Sequence, residues 1–222
     1  MDKISNRQYR KTLARTLLVL CLLPKCLQSF PAVGAEDLDE AEATRAAQGA
    51  RYADCMTLAQ SEPDAAWERA NAWLSLDGGN AAEHCAAVAL ITMGYHREAA
   101  QRLEDLAAHL RKPYERLLPE ILAQAAQAWF LAGDYSRAYG VQTAALEKAP
   151  GDVELLIDRS MTAAAANDYS AAVQDLDRAH VLAPNRADIL IYRASAKRIM
   201  NAPIAARSDI NLALELDREN PE

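Results

Sequence analysis

The residues whose types could do chemistry are few and scattered. Four histidines, His84, His96, His109 and His180, form no HExxH pair and no cysteine–histidine zinc set. His84 stands directly before Cys85, but neighbours on a helix point about 100° apart, and no acid is fixed nearby to orient a thiol–imidazole pair. Gly78-Gly79-Asn80 lacks the Gly-Lys-Ser/Thr of a phosphate loop and reads as a turn between helices. The sequence therefore predicts no catalytic, cofactor-binding or metal-binding set, and a protein that is not an enzyme. What does recur is charge. Arg159 and Asp175 are 16 residues apart, as are Arg193 and Asp209. An arginine at a crowded inner position needs a carboxylate for its planar fork, so both pairs read as structural ion pairs rather than as a binding ladder.

The elements that would position these residues are helices. Hydrophobic residues make up 51% of the 222 and aromatics only 6%, with eight glycines, and alanine carries much of the apolar content. Small side chains with few helix breakers favour helices packed closely together. An all-α class follows. The formal charge of −7 is unevenly spread: residues 1–35 hold six basic residues and one acid, which leaves 18 basic and 30 acidic residues in the rest. An acidic body is repelled by nucleic-acid backbones and anionic membranes, which argues against either as partner. The same charge also serves plain solubility.

The amino terminus reads as an address. Lys3 to Arg15 form a basic region, Thr16 to Pro24 a short apolar one, and Val33-Gly34-Ala35 puts small residues before a cut at Glu36. Residues 1–35 are thus expected to be a secretory signal peptide, and the protein to be periplasmic or secreted. An uncleaved anchor is the alternative, although the apolar run is shorter than the roughly 20 residues of a spanning helix; the mature chain is expected to have no transmembrane helix. Cleavage leaves two cysteines, Cys55 and Cys85. In an oxidising compartment that pair predicts a disulfide; two buried thiols acting as small hydrophobes are the other reading.

A repeat organises the rest. Gly133-Asp134-Tyr135-Ser136-Arg137-Ala138, Asn167-Asp168-Tyr169-Ser170-Ala171-Ala172 and Asn201-Ala202-Pro203-Ile204-Ala205-Ala206 end on alanines 34 residues apart, and Gly94 to Ala99 is a copy 39 residues upstream. With units starting at Pro119, Val153 and Ala187, position 4 is Leu122, Leu156 and Leu190, and position 8 is Ala126, Ser160 and Ala194. Position 20 is Ala138, Ala172 and Ala206, position 27 is Ala145, Ala179 and Ala213, and Pro150 and Pro184 close the first two units. Small residues at 8, 20 and 27 let two helices cross closely, and Gly or Asn at position 15 suits a left-handed helix end. The unit before, 80–118, keeps Ala87, Gly94 and Ala99 and takes five extra residues near Pro113. A further step back places Ala53, Ala65 and Ala72 in a degenerate first pair, with Pro63 at the start of its second helix.

A period of 34 kept in phase resembles the tetratricopeptide-repeat (TPR) superfamily, and 80–217 looks like the exported TPR proteins of bacterial cell envelopes. The resemblance implies a right-handed α-solenoid of about five helix-turn-helix pairs, divided as signal peptide 1–35, acidic lead and degenerate pair 36–79, units 80–118, 119–152 and 153–186, and a last unit with polar tail, 187–222. It further implies a groove lined by the first helix of each unit. Carried over by position, that groove holds His84, Val88 and Ile91, then Gln127 and Phe130, then Ile157 and Met161, and finally Ile191, Ser195 and Arg198. Glu120, Glu154 and Asp188 would form an acidic rim, and the Lys/Asn/Arg clamp for a terminal carboxylate is absent from these positions. The lining suits an apolar or amphipathic protein segment, unless tight curvature buries it against itself. The expected function is a non-enzymatic adaptor or scaffold of the cell envelope that binds protein. Two alternatives stand: a small-ligand or lipid-binding solenoid, and self-association through the last helix, where Ile210, Leu212, Leu214 and Leu216 precede a short polar tail.

Overall fold

The computed structural model describes residues 35–219. The chain divides into two compact units, Met1–Ala47 and Gln48–Glu222. Of the first, only 35–47 is described, as the opening of a helix whose described side chains, 42–47, are exposed. The signal peptide expected for 1–35 lies outside the described residues apart from Ala35. Among the described residues ten α-helices follow one another: α1 (Ala35–Ser61), α2 (Pro63–Leu74), α3 (Gly79–Thr92), α4 (His96–His109), α5 (Leu118–Leu131), α6 (Tyr135–Lys148), α7 (Val153–Ala165), α8 (Tyr169–Leu182), α9 (Ala187–Ile199) and α10 (Pro203–Glu219). From α2 onward each helix packs on the next. None of the described helices is long and apolar enough to cross a membrane.

The turns within the units explain themselves residue by residue, most fully at Gly133-Asp134-Tyr135 and Asn167-Asp168-Tyr169. Gly94, Gly133, Asn167 and Asn201 all have positive φ, from 59° to 86°, the left-handed conformation that ends a helix. The N–H of the following residue then reaches five residues back, as from Asp134 to the Trp129 carbonyl (3.0 Å) and from Asp168 to that of Ala163 (2.8 Å). Asp134 and Asp168 next cap the second helix, accepting from the backbone N–H of Arg137 at 3.2 Å and of Ala171 at 3.0 Å. Three residues thus stop one helix, turn the chain and start the next.

The small residues sit where the helices cross. Ala126, Ser160 and Ala194 are buried, as are the alanines of positions 20 and 27 in all three units. Ser160 satisfies its hydroxyl by donating to the Ile157 carbonyl at 2.6 Å. The five extra residues of 80–118 form the link from His109 through a cis Lys112–Pro113 bond to a 3-10 turn at Tyr114–Leu117, and Pro119 lies in the first turn of α5.

The first pair departs from the expected register. Ala53 and Ala72 are exposed and Ala65 half-buried; Ala66, Ala70 and Trp73 are buried instead. The cause is the connection. Where later units place three residues between their helices, only Glu62 separates α1 from Pro63 of α2. No left-handed residue occurs there, and the inward stripe of α2 falls one residue later. The acidic lead is helical too, as the start of α1.

Candidate functional site on the first helices

The first helices of the units are α1, α3, α5, α7 and α9, and the ten residues expected to line a groove divide by burial. His84 and Ile157 are buried, at 8% and 5% exposure. Val88, Ile91 and Phe130 are half-buried, packed against the clusters around Ala59, Leu103 and Trp129. Gln127, Met161, Ile191, Ser195 and Arg198 are exposed. Ile157 therefore offers no lining: it joins Leu146, Leu155 and Leu176 in the core between units.

His84 serves a different purpose from lining. Its Nδ1 lies 2.6 Å from the Tyr52 hydroxyl of α1, and its Nε2 lies 2.7 Å from Oε1 of Gln124 on α5. A neutral ring satisfies both contacts, donating from Nε2 and accepting at Nδ1. Burial pushes the His84 pKa below its ordinary value, against opposing contributions from the Gln124 hydrogen bond and the Glu120 charge. Burial, and then Glu120, raise that of Tyr52. One imidazole thus ties together three first helices. Beside it the sulfurs of Cys55 and Cys85 are bonded, with Cα atoms 6.1 Å apart, joining α1 to α3 within a buried cluster that includes Ala70 and Ala86. Nothing in the repeat pattern points to the Tyr52–His84–Gln124 chain, because its members occupy different positions of their units.

The recurring charges lie at the crossings. Arg159 grips Asp175 with two bonds, Nε to Oδ2 at 2.8 Å and Nη2 to Oδ1 at 2.6 Å, and donates through Nη1 to the Thr143 hydroxyl at 3.0 Å. Arg193 repeats this with Asp209 at 3.0 and 2.7 Å, and its Nη1 donates to Asp177 at 2.8 Å. Thr143 and Asp177 both hold position 25 of the preceding unit. Lys197 adds a contact to Asp209 at 2.9 Å. Burial pushes the Asp209 carboxyl up, but the bonds from Arg193 and Lys197 outweigh it and leave the pKa below the usual carboxylate value. With Asp175 and Asp209 buried, these pairs sit inside the helix stack.

The acidic rim is changed by a residue outside the groove positions. Arg186 donates to both Glu154 and Asp188, so its single positive charge offsets one of their two negative ones, while Glu120 and Glu154 stay exposed and Asp188 is half-buried. The hydrogen bond from Arg186 holds the Asp188 carboxyl below its ordinary pKa. The aliphatic side chains exposed along the later first helices are Leu131, Met161, Ile191 and Ile199, between 42% and 51% exposed, and they stand among the exposed polar Gln127, Ser195 and Arg198. Among the described residues there is no group of three or more His, Cys, Asp or Glu side chains placed to hold a metal ion.

Ten helices packed in sequential pairs, with these turns and crossings, make a TPR solenoid. Solved structures with the same fold include MamA, residues 41 to the end, from Desulfovibrio magneticus RS-1, with a TM-score of 0.64 at 12% identity over 78% of this chain and 98% of that one. A double mutant of the RS-1 MamA matches over 85% and 98% at 15% identity and a TM-score of 0.64. The MSR-1 MamA matches over 78% and 97% at 14% identity, with a TM-score of 0.62. At such identities the likeness is one of fold. No protein-family model matches the sequence, and no curated protein matches it.

Proposed function

We propose that this chain is an exported, non-enzymatic adaptor that holds an apolar or amphipathic segment of another protein against α5, α7 and α9. The observation that carries the reading is the run of exposed aliphatic residues Leu131, Met161, Ile191 and Ile199 on consecutive first helices, in a fold whose surfaces suit protein partners. Export is supported by the layout of 1–35 and by the Cys55–Cys85 bond, which persists in oxidising compartments. A small-ligand reading draws less support. The open pocket lined by Glu115, Arg116, Leu118, Pro119 and Lys148 carries three charged side chains and shares no residue with that aliphatic run.

Crosslinking in intact cells tests the adaptor reading. The wild-type chain should capture a partner that Met161→Glu combined with Ile191→Glu does not, at equal expression. Equal capture by both would sink it. Fractionation of the same cells checks the location: an exported chain starts at Glu36 and lies outside the cytoplasm, whereas a full-length chain in the cytoplasmic fraction refutes export.

A further inference from the structure

We infer that α10 is a self-complementary surface that pairs with the α10 of a second copy across a two-fold axis. The seat is defined by the repeat. Positions 24 and 28 of a unit face the first helix of the next: Leu103 and Ala107 share a cluster with Ile121, while Leu146 joins Leu155 and Leu176 joins Ile189. The incoming residue is position 3 each time. In the last unit positions 24 and 28 are Ile210 and Leu214, and they are 39% and 53% exposed. Among the described residues no helix follows α10 to cover them.

The same interfaces define what fits the seat. In the last two, the incoming helix brings an aliphatic residue and, four residues on, an arginine: Leu155 with Arg159, and Ile189 with Arg193. The aliphatic side chain enters the cluster, and the arginine donates to position 25 of the unit before, Thr143 or Asp177. Position 25 of the last unit is Asn211, an exposed acceptor. Among the described exposed apolar residues, Leu214 is followed four residues on by an exposed arginine, Arg218. The helix that carries the vacant seat therefore also carries the matching key.

Handedness of the contact agrees. Successive helices of a hairpin stack run in opposite directions, and a two-fold axis across α10 also sets its two copies antiparallel. Leu214 of each copy then lies over Ile210 and Leu214 of the other, with each Arg218 directed toward the opposite Asn211. Such a contact is isologous and closes at two copies, in contrast to an open array.

Sedimentation equilibrium of the full chain tests this. A reversible monomer–dimer equilibrium is expected, with no larger species. Leu214→Glu should weaken it at least about tenfold, and Arg218→Glu should do so to a lesser degree, with Arg218→Lys restoring part. Ile204→Glu is the control: position 18 is exposed in every unit from 80 onward, so its dimer and melting curve should match the wild type. A melting curve unchanged in Leu214→Glu at a concentration where both chains are monomeric separates lost pairing from lost folding. A chain monomeric up to about 1 mM, a dimer indifferent to Leu214→Glu and Ile210→Glu, or growth beyond two copies would each overturn the inference. The first of these outcomes would leave the seat to a foreign helix.

Discussion

The two ends of the helix stack are held by different chemistry. Around α1 to α5, where the repeat is irregular, the links are singular: a disulfide, a neutral histidine bridging three helices, and Trp129. The indole N–H of Trp129 donates to Glu104, and the guanidinium carbons of Arg97 and Arg137 lie 5.5 and 4.6 Å from its ring. Around α7 to α10, where the period of 34 is kept, the links repeat with it, as Arg159–Asp175 and Arg193–Asp209. The lining of the first helices divides less cleanly, with Ile157 of α7 buried and Leu131 of α5 exposed. Val88, Ile91 and Phe130 are drawn into cores, whereas Met161 and Ile191 stay exposed. A regular repeat holds its units with one device used again, whereas the irregular end relies on single side chains such as His84 for its cohesion.

The largest test of this contrast is the disulfide. The bond closes a span of 30 residues, so replacing Cys55 and Cys85 by alanine should lower unfolding stability by about 3–4 kcal/mol in denaturant titrations. Amide exchange should rise across α1 to α3 and little across α7 to α10. Equal loss at both ends would dissolve the distinction. Next comes Asp175→Ala, which leaves the Arg159 guanidinium largely buried without its carboxylate and should cost about 3 kcal/mol. Here the loosened region should be α7 to α10, and converting Arg159 to Met alongside Asp175→Leu should restore most of the stability.

A smaller effect comes from pH. The His84 pKa is depressed by burial below its ordinary 6.5, so the unfolded ring takes up a proton that the folded ring resists. Stability from this group is therefore complete above about 6.5 and declines as pH falls toward the folded value. Thermal midpoints between pH 7.5 and 5 should drop more for the wild type than for His84→Gln; parallel curves would remove His84 from the account. The smallest change is expected at Ile191→Ser, within about 0.5 kcal/mol of wild type because the side chain is half exposed. A loss several times larger would mean that this end, too, relies on its first-helix side chains.

The sequence made the later units legible and the first pair less so. Spacing alone located the left-handed turns at Gly94, Gly133, Asn167 and Asn201, because those conformations demand particular residue types. It misplaced the register at α2, since the one-residue link at Glu62 carries no such signature. Burial on the first helices was harder to read. Ile157 and Ile191 both occupy position 5, yet one is buried and the other half exposed, a difference set by what the neighbouring unit presents. The bridge through His84 depends on partners 32 and 40 residues away at unrelated repeat positions. Arg186 likewise lies outside the positions that define a groove, so its hold on Glu154 and Asp188 has no local signal.

The threefold grip of Arg159 and Arg193 has a consequence for cooperativity. Each guanidinium holds an aspartate within its own unit and an acceptor in the unit before. Folding within a unit and docking between units therefore share one side chain. In a stack where stability is a sum over units and their interfaces, such sharing raises the coupling between neighbours. Fraying from α10 inward should then proceed in steps larger than one helix pair, with 153–219 opening as a single block.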